Sequence, residues 1–111
     1  EVCTNYTKDI LGKSRTFDYC RANIDIKEKT NKLVAIIGDS HAHVLFHGVS
    51  KVALKNGYKT VLFANSSCPT LKGFMWGKSK KEVNTCKKKI EEILVIIQKD
   101  KRIRISWVYL P

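Results

Sequence analysis

The chain predicts an α/β fold with a parallel sheet, and three stretches carry that prediction. Residues 33–37 place five apolar side chains in a row, Leu-Val-Ala-Ile-Ile, with no polar alternation, which suits a strand buried on both faces inside a parallel sheet. Residues 60–64, Thr-Val-Leu-Phe-Ala, repeat the pattern after a helical stretch, and residues 103–110 supply a third run after a longer one. Strands alternating with helices in this way pair in parallel through right-handed crossovers. With the first strand in the centre, the expected order is 2-1-3.

Residues 1–32 mix polar, charged and turn-forming side chains without a sustained period, so they read as a loop-rich lead-in. Residues 33–111 then form the α/β part. The chain is expected to turn sharply at Gly38, after which Val44, Leu45, Phe46, Val49, Val52, Ala53 and Leu54 form a wide helical stripe with Lys51 and Lys55 outside it. Asn56-Gly57 is a helix C-terminal signal. Residues 65–77 hold Pro69, Gly73, Phe74, Met75, Trp76 and Gly77 without a period, a length at which loops are usually functional. Ser79 and Glu82 have capping-box spacing. Val83, Cys86, Ile90, Ile93, Leu94 and Ile97 trace one face of a second helix, with Lys87, Lys88, Glu91 and Lys99 on the solvated side. There is no internal repeat and no low-complexity segment. Leu110-Pro111 follows an apolar run directly, so the sequence reads as part of a longer protein, cut at a strand end.

At 111 residues the chain fits one domain. No apolar run reaches the roughly 18 residues of a membrane span, and the start, Glu-Val-Cys-Thr-Asn, lacks the basic and apolar regions of a signal peptide. The net charge of +11 invites a nucleic-acid reading. Its distribution argues against one, because lysines are spread over three segments with few arginines and no aromatic stripe between them. A solvated surface that helps attract an anionic glycan, or sits near an anionic membrane face, is the better account.

Cys3, Cys20, Cys68 and Cys86 have no Cys-x-x-Cys spacing and make a poor zinc site. Disulfides fit better, and three connectivities are open. The sequential one, Cys3 with Cys20 and Cys68 with Cys86, closes two short loops worth roughly 3 kcal/mol each, and implies an oxidising compartment such as the periplasm or cell surface. Four buried thiols in a cytosolic protein are the alternative. Asn5-Tyr6-Thr7 and Asn65-Ser66-Ser67 are formal glycosylation triplets, of a kind that also arises by chance.

Gly38, Asp39 and Ser40 stand where the first strand's carboxyl end meets a helix's amino end. In open α/β sheets that crevice binds ligands, and the free N–H groups of the helix favour developing negative charge. Ser40 is placed to act as a nucleophile, although a serine that only caps the helix would occupy the same position. His43 and His47, four apart, could share a metal, but lone surface or core histidines need no such role.

The run Ile36-Ile37-Gly38-Asp39-Ser40-His41-Ala42 at a strand end resembles the opening block of the SGNH (GDSL-like) hydrolases and acyltransferases. With Ser67-Cys68-Pro69 after the second strand, a cysteine-bearing lead-in and Cys86 in the following helix, the sequence is similar to the SGNH domains fused to acyltransferase-3 membrane proteins, which O-acylate surface polysaccharides. The resemblance covers most of the chain. It implies a three-layer, flavodoxin-like fold, with Ser40 as the acyl-accepting nucleophile whose backbone N–H contributes to an oxyanion hole, and Gly38 and Asp39 as the motif turn. It further implies O-acylation, such as O-acetylation, of a periplasmic or cell-surface carbohydrate acceptor. No cofactor is bound by this domain on that reading. The acyl donor, acetyl-CoA acting through a membrane domain, lies outside this chain.

The sequence departs from the family pattern in three places. The family's Asp-x-x-His block has no counterpart, since the only histidines are His41, His43 and His47, and none is assigned as general base. Asn65 stands where the second-block glycine would donate to the oxyanion. It could donate through its side-chain amide, or be a simple turn residue. The third-block asparagine is not evident around Ser106-Trp107-Val108-Tyr109. A serine without its base retains little rate enhancement, so this stretch alone is expected to be nearly inert.

Two other classes compete. Asp39-Ser40-His41 also spells the Asp-x-His opening of calcineurin-like metallophosphoesterases, but their second, metal-bridging aspartate is missing where Asn65-Ser66-Ser67 follows the second strand. A basic carbohydrate- or surface-binding module that kept the fold without the chemistry is the other.

Overall fold

The computed structural model describes residues 2–22, 32–39, 41–65 and 80–108. Its elements are α1 (Val2–Leu11), β1 (Tyr19–Ala22), β2 (Leu33–Gly38), α2 (Ala42–Lys55), β3 (Lys59–Ala64), α3 (Lys80–Lys99) and β4 (Ile103–Val108). They build one four-stranded sheet of order β1-β3-β2-β4. β2 lies parallel to β3 on one side, with Leu33 against Lys59 through Gly38 against Ala64, and parallel to β4 on the other. The three expected strands therefore take the expected order, with β2 central.

Two expectations need correction. The sheet is not parallel throughout, because β1 adds to it antiparallel, pairing Tyr19 with Ala64 and Ala22 with Val61. Among the described residues of the segment before β2, a helix and a strand also stand where no periodicity was expected. Cys3, Tyr6, Thr7, Ile10 and Leu11 recur at helical spacing along α1, and the first three are buried. Cysteine, tyrosine and threonine bury that stripe without looking apolar. The disulfide between Cys3 and Cys20 links α1 to β1 with their Cα atoms 5.9 Å apart.

The sheet is covered on both faces, as its apolar strands require. On one face Ala35, Ile37, Val61 and Phe63 meet Tyr6 and Phe17 and, from α3, Ile93 and Ile96. On the other, Ile36, Leu62 and Ala64 meet Ala42 and Phe46 of α2. Tyr6 fastens the first face to the far end of the chain. Its hydroxyl donates to Asp100 Oδ2 at 2.7 Å, and Arg102 grips both oxygens of that carboxylate at 3.0 and 2.8 Å. Burial and the Asp100 carboxylate push the Tyr6 phenol up from its ordinary value. Burial also pushes Asp100 upward, but the hydrogen bonds from Arg102 and Tyr6 outweigh it and hold the carboxyl low.

The helices follow their predicted faces only in part. Along α3, Cys86, Ile90 and Ile93 are buried, whereas Leu94 is exposed and Glu92 is buried in its place. Glu92 is tolerated there because its Oε1 accepts the Thr16 N–H at 2.7 Å and Lys13 Nζ stands 3.6 Å from its Oε2. Along α2, Phe46 and Ala53 are buried, but Val44, Val52 and Leu54 are exposed. The helix packs over β2 and β3 and leaves an apolar trough of about 740 Å³ toward Ile105 of β4. The helix ends as expected: the Asn56 and Gly57 N–H groups return to the Ala53 and Leu54 carbonyls, and Gly57 has φ 79°. Ser79 and residues 66–77 of the expected loop, like Cys68 and residues 109–111, lie outside the described residues.

Candidate active site

Gly38 closes β2 and does not itself turn the chain: it still pairs with Ala64 and has no positive φ. The turn begins at Asp39. Its carboxylate Oδ1 accepts the His41 N–H at 2.9 Å and its carbonyl accepts the Ala42 N–H at 3.0 Å. This is an Asx turn that feeds the strand into the helix and satisfies two of the free N–H groups at the helix start. The cap position of α2 is His41, whose side chain makes no capping bond. Ser40, between these anchors, lies outside the described residues.

Beside this turn stands Asn65. Parallel pairing carries β3 to the same end of the sheet as β2, and the Asn65 N–H donates to the Gly38 carbonyl at 2.9 Å. Its side chain is wholly buried. Oδ1 accepts the Asp18 N–H at 3.3 Å, and because a backbone N–H needs an acceptor, this bond fixes which end of the amide is oxygen. The other end, Nδ2, is buried with no hydrogen-bond partner among the described residues. An unsatisfied buried donor costs about 1–3 kcal/mol, so a position that keeps one invites an oxygen acceptor. Asp18 is in turn held by Lys89, whose Nζ reaches its Oδ1 at 2.9 Å. Sequence reading singled out Asn65 but missed Asp18 and Lys89, which orient it. Recognising residues 19–22 as an edge strand beside β3 would have placed Asp18 there.

The three histidines differ in setting. His41 is exposed, with Nδ1 3.4 Å from Asp39 Oδ1. His43 packs edge-on against Tyr19 at 4.9 Å and lies 3.5 Å from Arg21 Nη1. Burial, reinforced by the Arg21 charge, lowers its pKa from the ordinary value and favours the neutral imidazole. His47 is exposed and neighbours the Phe46 ring at 6.0 Å. Among the described residues no three His, Cys, Asp or Glu side chains gather as a metal would require. The expected Cys3–Cys20 bond is present, and Cys86 is buried and disulfide-bonded.

A turn at a parallel strand's carboxyl end, entering a helix and flanked by an unspent amide donor, is an arrangement that can receive an acyl carbonyl and hold its oxyanion. Neither curated proteins nor solved structures yield a match to the chain. A family model described as the SGNH domain (fused to AT3 domains) matches residues 3–106, nearly the whole sequence. The chain therefore belongs to the SGNH domain family of the kind fused to AT3, acyltransferase-3, domains.

Proposed function

We propose that this chain carries the nucleophile of an acyl transfer that O-acylates a polysaccharide outside the cytoplasm, with Ser40 as the acyl-accepting residue. The observation that carries the reading is the buried Nδ2 of Asn65, without a hydrogen-bond partner among the described residues, beside the Gly38-Asp39 turn. In this mechanism the Ser40 hydroxyl attacks the carbonyl of the acyl donor. Its proton passes to a base outside this chain, and the carbonyl oxygen becomes an oxyanion that takes hydrogen bonds from the Ser40 N–H and Asn65 Nδ2. Collapse expels the donor and leaves an ester on Ser40. A glycan hydroxyl then attacks the ester and restores the serine.

The donor is delivered by an acyltransferase-3 membrane partner, and the domain itself binds no cofactor. Family membership supports that partnership. The Cys3–Cys20 bond supports the periplasmic or extracytoplasmic face as its location, since structural disulfides persist in oxidising compartments.

Asn65→Asp tests the reading. It keeps the acceptor that holds the Asp18 N–H, removes the donor and sets a negative charge against the oxyanion. Glycan acylation by the full-length protein in membranes is expected to fall at least about a hundredfold, the usual effect of deleting one oxyanion donor. The thermal midpoint checks that the variant stays folded. Acylation near the wild-type rate would reduce Asn65 to a turn residue.

A further inference from the structure

A second cavity, of about 300 Å³, opens between β1 and α2, away from the turn. Arg21, His47 and Lys51 line it together with Ser50, and Phe46, Ala22 and Leu54 form its apolar wall. Among the described residues no acidic side chain lines it. Arg21 is held there, again among the described residues, without a carboxylate: its guanidinium lies over the Phe46 ring at 4.8 Å and within 3.5 Å of His43 Nδ1. A guanidinium fixed by stacking keeps those of its forked donors that do not face His43 available to a planar anion. Ser50 is spent, since its Oγ shares a 2.6 Å hydrogen bond with Thr60 Oγ1, and so serves as floor.

Spacing along α2 connects this cavity to the turn. His43, His47 and Lys51 fall at i, i+4 and i+8, on one face of the helix and over about 12 Å of its axis. His43 is at the end nearest Asp39 and touches both Tyr19 and Arg21 of β1. A polymer bound in the cavity can follow this stripe toward the turn at Asp39.

We infer that the groove between β1 and α2 binds an acidic polysaccharide, with a sugar carboxylate on Arg21 and Lys51 and the ring's apolar edge against Ala22 and Leu54. The choice of a glycan rests on the acyl-transfer reading; the choice of an anionic one rests on the cavity. A single carboxylate suits a pocket of this size that holds an arginine and a lysine and, among the described residues, no acid, and the net charge of +11 draws a polyanion toward it.

The test is binding of oligogalacturonate to the protein, compared with the same oligomer fully methyl-esterified. Two double variants are compared, each removing two cations: R21Q with K51Q in the groove, and K87Q with K88Q on the solvated face of α3. The groove pair is expected to weaken oligogalacturonate binding about tenfold while the α3 pair changes it little, and the methyl ester should not bind. If loss of Arg21 stacking unfolds the first pair, H47Q with K51Q alters exposed side chains only and is expected to weaken binding in the same direction. Equal losses in the groove and α3 pairs, or equal binding of the ester, would overturn the proposal in favour of diffuse charge. Phosphatidylglycerol vesicles form a further arm, and groove-dependent binding to vesicles without binding to the oligomer would overturn it in favour of a membrane surface. Binding needs no acyl transfer, so failure here leaves the nucleophile assignment standing, and failure of that assignment leaves this result readable.

Discussion

Ser40→Ala in the full-length protein is expected to reduce glycan acylation by roughly four to six orders of magnitude, toward the level that binding and the oxyanion contacts sustain alone. The fold should survive. Asp39 already satisfies the His41 and Ala42 N–H groups, and His41 holds the cap position. The side chain of Ser40 is therefore not required to start α2, and losing even a full cap would cost only about 0.5–2 kcal/mol. If Ser40 served the helix alone, the pattern would reverse, with a lowered thermal midpoint and acylation near wild type at a temperature where the variant is folded. Both quantities are measured on one variant, so the two roles separate cleanly.

Replacing Cys3 and Cys20 together by alanine is expected to cost about 3 kcal/mol, a large share of the ~5–15 kcal/mol that holds a domain folded. The bond joins two buried cysteines 17 residues apart and cross-links α1 to β1. β1 is an edge strand of four residues, paired among the described residues with β3 alone, and beyond that pairing the Tyr19 and Arg21 ring contacts with α2 help hold it. The residue just before it, Asp18, holds the Asn65 amide. Urea unfolding should show a lower midpoint at unchanged slope, and acyl transfer should become more sensitive to warming than in the wild type. A midpoint shift worth less than about 1 kcal/mol would mean that the α1 and β1 packing suffices without the bond.

The two central strands were legible because a parallel strand buried on both faces is written as a nearly uninterrupted apolar run, as residues 33–37 and 60–64 are, whereas β4 at the sheet's edge interrupts its run with Arg104 and Ser106. Their order followed from chain connectivity. α1 and β1 were not legible, because what buries them is not local. Tyr6 is held by Asp100, 94 residues away, Cys3 by a disulfide, and β1 by the backbone of β3. Periodicity also overstated α2. Val44, Val52 and Leu54 are apolar and in phase, but phase reports a pattern and not what covers it. At the site, the Gly38-Asp39-Ser40 turn and Asn65 were visible as residues at strand ends. That Asn65 keeps one donor unspent depends on the Asp18 backbone, 47 residues earlier in the chain, and no spacing rule reports such a contact.

Peptide mass analysis of the full-length protein, quenched while it is acylating its glycan, tests the nucleophile assignment most directly. The account predicts that the peptide containing Ser40 carries one added acyl group, that the adduct accumulates when the glycan acceptor is withheld, and that it is absent from Ser40→Ala. An unmodified Ser40 peptide under conditions where acyl groups still reach the glycan, or an adduct on another residue that persists in Ser40→Ala, would contradict it.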